Sequence, residues 1–273
     1  DEISELSHNF NLMSEAINRN IDDYKQIVGN LTHEIKTPLT SIIGYAELLK
    51  NHECDRELQE QALDYILEEG KRLNSITRKM IKLSRIQPGL LNIERQDVKK
   101  MLETSLMAVR MKAGQKQIHF TSDIPEGIFC YGDREFLITM MENVLDNAIK
   151  ASHEGGVIEV RAAGEGGALA YIQVTDHGIG IPADILDKID QPFFKGDKAH
   201  SQGGDGFGMG LAICKSVMLH HHGSLKYESV VGAYTTVTMR FPAADYLRLE
   251  SPEQTDQVKK DSLWVYEASN IIR

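Results

Sequence analysis

A histidine, a carboxylate and a hydroxyl occur close together near the start of the chain, as His33, Glu34 and Thr37, with Pro38 directly after them. Because residues four apart share a helix face, His33 and Thr37 should point the same way. Pro38 has no N–H to donate to the carbonyl of Glu34, so the helix should bend or loosen there. A neutral imidazole has one nitrogen with a free lone pair, which suits it to nucleophilic attack. For a lone histidine–glutamate pair, however, a solvated helix face is the favoured interpretation.

Two amides and a lysine form a second group with chemical potential. Asn143, Asn147 and Lys150 have helical spacing and should line one face of a helix. Amide oxygens are hard ligands that suit Mg²⁺, and a lysine beside them suits a phosphate group. The alternative is that these polar residues simply face solvent.

A carboxylate at the end of a predicted strand forms the third group. Residues 171–175 have strand character and run into Asp176, which is followed by Gly178 and Gly180. Glycines allow a tight turn and close approach of the backbone to a flat ligand. The carboxylate could accept a hydrogen bond from an amino group such as N6 of adenine. A plain glycine-rich turn is the alternative.

Three glycines, Gly206, Gly208 and Gly210, stand directly before a predicted helix. Backbone N–H groups of such a loop can wrap phosphates, and the helix N-terminus that follows favours an anion. The spacing is neither that of a Walker A loop nor that of a dinucleotide-binding fold.

The first part of the chain should consist of two long helices. Apolar residues spaced three or four apart form a coiled-coil-like seam: Ile3, Leu6, Phe10, Met13, Ile17, Ile21, Tyr24, Val28, Leu31, Ile35, Leu39, Ile42, Ala46 and Leu49. The polar stretch 51–56 interrupts it, and a second seam runs from Leu58 to Leu83. One hairpin cannot bury both seams, so we expect a dimeric four-helix bundle. His33 is off the seam and should be accessible.

From about residue 93 the pattern changes to mixed helix and strand. We expect strands at 118–122, 157–162, 171–175, 225–229 and 235–241, and helices at 98–112, 134–152 and 211–221. This arrangement predicts an α/β-sandwich domain after the helical hairpin. Residues 182–206 should form a long mobile loop, which is usually functional at such a length. The tail from residue 245 carries no motif that we can interpret.

Composition limits the classes of function. At 273 residues the chain is long enough for about two domains. A formal net charge of −10 argues against a nucleic acid as partner. No apolar run approaches the ~18 residues of a transmembrane helix, and no signal peptide opens the chain. The three cysteines, Cys54, Cys130 and Cys214, form no CxxC pair and indicate free thiols in a reducing cytosol.

In combination these motifs resemble those of one family. Residues 31–39 resemble the H-box of sensor histidine kinases of the HisKA type. The amide face, the Asp176 turn and the glycine run resemble, in that order, the N, G1 and G2 boxes of the Bergerat-type ATP-binding domain. Residues 191–195 resemble the F box of the kinases, and residues 1–13 resemble the end of a HAMP linker. The resemblance covers residues 24–241, about four-fifths of the chain.

The resemblance implies a mechanism and a domain order. His33 would be phosphorylated by ATP and pass the phosphoryl group to an aspartate in the receiver domain of a response regulator. Glu34 would accept the imidazole proton, and Thr37 would position a water for dephosphorylation of the regulator. The implied domains are 1–23 (HAMP end), 24–90 (dimerisation and phosphotransfer), 91–244 (ATP binding) and 245–273 (tail). The chain would be the cytoplasmic portion of a bacterial inner-membrane sensor.

The same resemblance implies the residues of the nucleotide site. ATP would be bound by Asn143, Asn147, Lys150, Asp176, Gly178, Gly180, Phe193, Phe194, Lys195, Gly206, Gly208 and Gly210. Asn147 would be a Mg²⁺ ligand. The segment that carries Phe193, Phe194 and Lys195 would close over the nucleotide as a lid.

Two other classes of function are left open at this point. An ATPase of the chaperone or topoisomerase branch would carry a catalytic glutamate where this chain has Asn143, and it would give His33 no purpose. A non-catalytic dimeric scaffold with a degenerate nucleotide site is the other alternative.

The histidine run 220–222 could suggest a metal site, but histidines at the end of a helix also suit the helix dipole. Whether phosphorylation occurs within or between protomers depends on the hairpin loop.

Overall fold

The computed structural model describes residues 2–52, 54–86, 91–165, 168–194 and 208–242. Residue 1, the tail after residue 242, and the predicted site residues Lys195 and Gly206 therefore lie outside the described residues. Most side chains before residue 28 are also outside the description, which includes the HAMP-like motif. The chain divides into two compact units, one of Asp1–Ser84 with Ile189–Met209 and one of Arg85–Lys188 with Gly210–Arg273.

The first unit contains the predicted helical hairpin. Helix α1 spans Glu2–Asn51 and helix α2 spans Arg56–Arg85. Pro38 lies inside α1 without ending it, so the helix continues through the position where it was expected to loosen. The side chain of Asp55 accepts a hydrogen bond of 2.8 Å from the N–H of Leu58 and caps the start of α2.

One residue of the predicted loop and one that follows it pack onto this hairpin. Phe193 and Met209 are buried together with Ile76 of α2. Leu31 and Ile35 of α1, together with Met80 of α2, pack against this cluster. The F-box phenylalanine therefore belongs to the hydrophobic core of the first unit.

The second unit is a sheet with helices. In chain order its elements are β1 (Glu94–Asp97), α3 (Val98–Gln115), β2 (His119–Asp123), β3 (Phe129–Gly132), α4 (Arg134–Ala151), β4 (Val157–Glu165), β5 (Ala168–Asp176), α5 (Gly210–His220), β6 (Ser224–Val230) and β7 (Tyr234–Arg240). Strands β4, β5, β7 and β6 are neighbours in that order and antiparallel. Strand β2 runs parallel to β4 on the other side. The predicted α/β architecture is confirmed.

Strands β1 and β3 are absent from the strands predicted above. Each has only four residues, and they pair with each other in antiparallel fashion. A single residue pair, Phe129 with Ala168, joins β3 to β5. So short a strand depends on a distant partner for its conformation, and its own sequence contains little signal.

Helix α4 is the centre of the second unit. It packs against α3, α5 and β5. Asp133 caps its start, because its side chain accepts hydrogen bonds from the N–H groups of Glu135 and Phe136. One face buries the apolar residues Phe136, Leu137, Met140, Met141, Val144, Leu145, Ala148 and Ile149. The other face carries the asparagines and the lysine of the predicted site.

None of the helices within the described residues has an apolar stretch long enough to cross a membrane.

Candidate functional site

The segment around His33 is accessible on the first unit. The side chains of His33 and Thr37 are exposed, whereas Pro38 is buried. The hydroxyl of Thr37 donates a hydrogen bond of 3.3 Å to the backbone carbonyl of His33. His33 is accessible in the single chain, as expected, and Thr37 lies one turn further along the same helix.

Glu34 is connected to α2 through a residue that the sequence analysis did not single out. Its Oε2 lies 3.9 Å from Nη2 of Arg72, and Nη1 of Arg72 lies 3.7 Å from Oε1 of Glu69. The side chain of Glu34 is partly buried. The acid of the H-box motif is therefore directed toward α2, with a guanidinium between it and a second carboxylate. No motif marks Arg72, because its role depends on the pairing of two helices.

In the second unit, α4 brings the predicted N-box residues close to the glycine-rich motifs. Asn143 is partly buried and donates a hydrogen bond of 3.0 Å from its side chain to the carbonyl of Thr139. A Cβ atom on Gly210 would lie 3.4 Å from Oδ1 of Asn143. The last glycine of the run therefore lies against the first asparagine of α4, while Asn147 is exposed one turn later.

The Asp176 turn packs on the other end of α4. A Cβ atom on Gly178 would lie 2.0 Å from the carbonyl oxygen of Ala151, so no larger residue fits without a shift of the backbone. The N–H of Ile179 donates a hydrogen bond of 3.0 Å to the same carbonyl. The turn is thus fixed against the last residue of the helix that carries Asn143 and Asn147.

Asp176 itself is a buried acid. Only 5% of its surface is exposed. Burial raises its pKa to about 6, although the N–H of Gly178 and the nearby His177 favour the ionised form. A buried carboxylate at a strand end is suited to recognition of a hydrogen-bond donor on a ligand.

Two of the site glycines have backbone conformations that other residues rarely adopt. Gly180 has a φ of +66°, and a Cβ atom there would lie 2.3 Å from the carbonyl oxygen of Val230. Gly208 has a φ of +64°, and in the first unit its carbonyl accepts a hydrogen bond of 2.9 Å from the N–H of Phe193. Phe193 is buried and Phe194 is partly buried.

Lys150 is paired within the protein. Its Nζ lies 2.6 Å from Oδ2 of Asp146, and Lys112 of α3 donates a hydrogen bond of 2.5 Å to Oδ1 of the same carboxylate. Burial raises the pKa of Asp146, but the hydrogen bonds and charges of the two lysines outweigh it, so the net pKa is below its ordinary value.

Thr235 is a candidate site residue that the sequence analysis missed. It lies directly opposite Asp176 in the pairing of β5 and β7 and is buried. Its hydroxyl lies 3.0 Å from that of Ser229. Side chains opposite each other on neighbouring strands share a face of the sheet. Only the register of β7, which the sequence does not reveal, would have placed this hydroxyl beside Asp176.

Within the histidine run, His221 has an internal role. It is buried, its Nδ1 lies 2.7 Å from the carbonyl of Val217, and its Nε2 accepts a hydrogen bond of 3.0 Å from the N–H of Asp133. Burial lowers its pKa, which favours the neutral ring that these contacts require. In the part of the chain that the structure describes, no three potential ligands lie together as a metal site.

Comparison with known proteins assigns a family to a segment of each unit. Residues 23–89 match the family described as His Kinase A (phospho-acceptor) domain. Residues 132–245 match the family described as Histidine kinase-, DNA gyrase B-, and HSP90-like ATPase. The sensor-like histidine kinase SenX3 of Mycobacterium tuberculosis is 33% identical over 234 residues, which cover 84% of this chain and 57% of that protein. The chain thus spans little more than half of this relative.

Solved structures show the same fold. Histidine kinase ThkA, in a crystal structure with the response regulator protein TrrA, matches with a TM-score of 0.66 and 21% identity, over 84% of this chain and 64% of that one. The histidine kinase AdeS of Acinetobacter baumannii matches with a TM-score of 0.60 and 22% identity, over 78% of this chain and 98% of that one. An H-box helix, an ATPase-type sheet and these relatives lead to one conclusion: the chain belongs to the sensor histidine kinases of the HisKA type.

Proposed function

We propose that this chain uses ATP to phosphorylate its own His33 and then transfers the phosphoryl group to an aspartate of a response regulator. The observation that carries the nucleotide part is that two glycine motifs lie against α4, the helix that carries the asparagine motif. Gly210 lies against Asn143, and Gly178 lies against Ala151 at the end of the same helix. Support for the partner comes from ThkA, whose structure contains a response regulator.

The first step would be attack by a ring nitrogen of His33 on the γ-phosphorus of ATP. A P–N bond forms, the bond to the β-γ bridging oxygen breaks, and ADP leaves with that oxygen. The other ring nitrogen loses its proton, which Glu34 is positioned in sequence to accept. The ion pair with Arg72, which also contacts Glu69, holds the Glu34 side chain in one orientation toward α2. A receiver-domain aspartate would then take the phosphoryl group from the imidazole.

The residues present suit ATP with Mg²⁺. Asp176 offers a carboxylate to the adenine amino group, and Asn143 and Asn147 offer amide oxygens of the kind that Mg²⁺ prefers. Asn147 is exposed and is our proposed ligand for the ion. The ion would neutralise charge on the phosphates. Lys150 would contact the phosphates, and Gly180, Gly206 and Gly208 would let the backbone approach the nucleotide.

We assign the lid to the segment with Phe193, Phe194 and Lys195. The described part of this segment supports a connection to the hairpin, since Phe193 packs with Ile76 in the same unit as His33. The proposed lid therefore shares a hydrophobic core with the helix that carries His33. Lys195 itself is outside the described residues.

The chain is proposed to act as a homodimer through the hairpin. Several large apolar side chains of α1 and α2 are exposed in the single chain, namely Leu39, Ile43, Leu58, Leu63, Leu67 and Ile81. A second hairpin would bury them and complete a four-helix bundle. We keep 24–90 as the dimerisation and phosphotransfer domain, 91–244 as the ATP-binding domain, and 1–23 and 245–273 as a HAMP-like end and a tail.

A second activity, dephosphorylation of the regulator, is favoured by the position of Thr37. Its hydroxyl is exposed one turn from His33. While it donates to the carbonyl of His33, its oxygen can still accept a hydrogen bond from a water.

We also propose that the sequence is part of a membrane-bound sensor, as its resemblance to a HAMP end implies.

The test is incubation of the chain with γ-labelled ATP and Mg²⁺, followed by treatment with acid. We expect protein-bound label that acid removes, as a P–N bond requires, and no label in His33→Ala. His52→Ala is the matched control, because His52 is also exposed at the end of the hairpin and should keep full labelling. ATP hydrolysis without labelled protein would indicate the ATPase alternative, and failure to bind ATP would indicate the scaffold.

A further inference from the structure

Asp146 lies between two lysines that come from different helices. Lys150, one turn further along α4, contacts Oδ2 at 2.6 Å, and Lys112 of α3 contacts Oδ1 at 2.5 Å. Each carboxylate oxygen therefore has its own ammonium group. The Asp146 side chain is 21% exposed, whereas those of Lys112 and Lys150 are 63% and 46% exposed. The acid is the enclosed member and the lysines approach it from the solvent side.

The backbone at the end of α4 is fixed by other contacts. Nζ of Lys116 donates hydrogen bonds of 3.0 Å to the carbonyl of Ile149 and 2.9 Å to that of Lys150. The next carbonyl, that of Ala151, accepts a hydrogen bond from Ile179. The main chain of Lys150 is therefore held from two sides, while its long side chain can exchange Asp146 for another anion by rotation.

Lys150 can move from Asp146 to another anion at low free-energy cost only if Asp146 keeps a second counter-ion. A partly exposed ion pair between residues four apart is weak, so a triphosphate can compete for Lys150. A largely buried carboxylate left without a cation is costly. Lys112 removes this penalty, because it remains on Oδ1 when Lys150 leaves Oδ2.

We propose that Asp146 and Lys112 are positioning residues for nucleotide binding, which hold Lys150 beside the site and release it to the phosphates of ATP. In the absence of nucleotide, Asp146 orders the Lys150 side chain. When ATP binds, Lys150 turns to the phosphates and Lys112 neutralises Asp146. This inference rests on the proposed function in one respect, namely that Lys150 contacts phosphate.

The test is a double-mutant cycle in the complete chain, with the affinity for MgATP measured by calorimetry. Lys112→Met should weaken ATP binding about three- to tenfold, because release of Lys150 would then leave Asp146 without a cation. Lys150→Met should weaken it by a similar or larger factor. In the Lys150→Met background, adding Lys112→Met should change the affinity less than about twofold, since there is no lysine left to release. Lys112→Arg should behave like wild type.

Adenosine, which has no phosphate, provides a second readout. Its affinity should be the same in all these variants, whereas a distorted pocket would weaken both ligands. The inference is overturned if Lys112→Met leaves ATP affinity unchanged, if it causes the same loss with and without Lys150, or if adenosine binding falls equally. An unaffected Lys150→Met would overturn this inference and the phosphate contact of Lys150 while leaving the proposed phosphorylation of His33 standing, whereas a wild-type chain that fails to bind ATP would overturn the proposed function and this inference with it.

Discussion

The carboxylate of Asp176 accepts a hydrogen bond of 3.1 Å from the backbone N–H of Gly178, two residues further along the chain. This contact closes the turn after β5 and orients an acid that is 5% exposed. Burial nevertheless dominates, and the pKa of Asp176 is raised to about 6. Ionised Asp176 is costly in the empty protein, yet it lies where a nucleotide would bind. Removal of its charge should therefore raise the stability of the protein and lower its affinity for ATP.

The first prediction concerns Asp176→Asn. Asparagine keeps the oxygen that accepts from Gly178 but carries no charge. Above pH 6 the substitution should raise the free energy of unfolding by about 1–3 kcal/mol, because a buried ionised carboxylate has been removed. The same change should weaken ATP binding by about 1–3 kcal/mol, because a charge-assisted hydrogen bond is lost.

Urea unfolding at pH 7.5 and at pH 5 tests the stability, and calorimetry tests the affinity. An acid with a raised pKa contributes stability that is complete below its ordinary pKa of about 4 and is lost as pH rises through 6. The stability difference between Asp176→Asn and wild type should therefore shrink at pH 5. Unchanged ATP affinity in the mutant would show that Asp176 is only a turn residue.

The second prediction is the pH dependence of ATP binding. If the ionised form of Asp176 accepts the adenine amino group, affinity should decrease as pH falls below 6, by up to about tenfold for each pH unit. The phosphates of ATP also take up protons in this range, so Asp176→Asn is the necessary comparison. The wild type should show the steeper decrease between pH 7 and pH 5. Equal slopes would mean that Asp176 does not titrate in the site.

The sequence was sufficient to predict the helical hairpin, five of the seven strands that the structure describes and the local motifs of the candidate site, for physical reasons. Long helices have apolar seams, and the residues of each nucleotide motif are close in sequence, as Asp176, Gly178 and Gly180 are. Contacts between distant segments were not predictable. Thr235 lies opposite Asp176 only through the register of β7, and β1 is a strand only through its pairing with β3.

The same limit applies to ion pairs. Lys150 was expected to contact phosphate, and the sequence did not indicate that it also contacts Asp146, which receives a second lysine, Lys112, from α3. Lys112 and Asp146 are 34 residues apart in sequence, so neither residue signals the other. Arg72 and Glu34 are connected in the same way by the packing of α1 on α2.

The third prediction concerns Gly178. A methyl group there would meet the carbonyl of Ala151 at 2.0 Å, so Gly178→Ala should destabilise the protein by about 1–3 kcal/mol and weaken ATP binding. Gly114→Ala in α3 is the matched control, since a Cβ there has no atom within 4 Å, and helix propensity predicts a gain of up to about 1 kcal/mol. Urea unfolding of both variants tests this, and a neutral Gly178→Ala would contradict the packing of the turn on α4.

The fourth prediction concerns the dimer. Leu63 and Leu67 are one turn apart on α2 and are 56% and 55% exposed in the single chain. If a second hairpin covers them, Leu63→Glu with Leu67→Glu should convert a dimer to a monomer in analytical ultracentrifugation at micromolar concentration, because a charge cannot be buried without a partner. Gln61→Glu places the same acid at a nearby exposed position and should leave the dimer intact. A wild-type monomer would contradict the four-helix bundle.

The last prediction is that two activities can be separated within one turn of α1. His33→Ala should abolish phosphoryl uptake, because it removes the proposed nucleophile. Thr37→Ala removes one hydroxyl, which donates to the carbonyl of His33, and leaves the imidazole and the buried Pro38 in place. Autophosphorylation should therefore survive, whereas dephosphorylation of the regulator should fall by about 10²-fold, the typical effect of losing a positioned catalytic group.

Thr40→Ala is the control for helix structure. Thr40 is exposed on the same helix and donates a hydrogen bond of 2.8 Å to the carbonyl four residues earlier, that of Lys36, as Thr37 does to His33. Its loss should affect neither activity, and Thr37→Ser should restore dephosphorylation because it restores the hydroxyl. The forward step is measured with labelled ATP and the reverse step with purified phosphorylated regulator. Equal loss of both activities in Thr37→Ala would mean that Thr37 supports the helix around His33. If Thr37→Ala keeps both activities, the Thr37 hydroxyl does not orient the attacking water, and dephosphorylation depends on residues outside this turn.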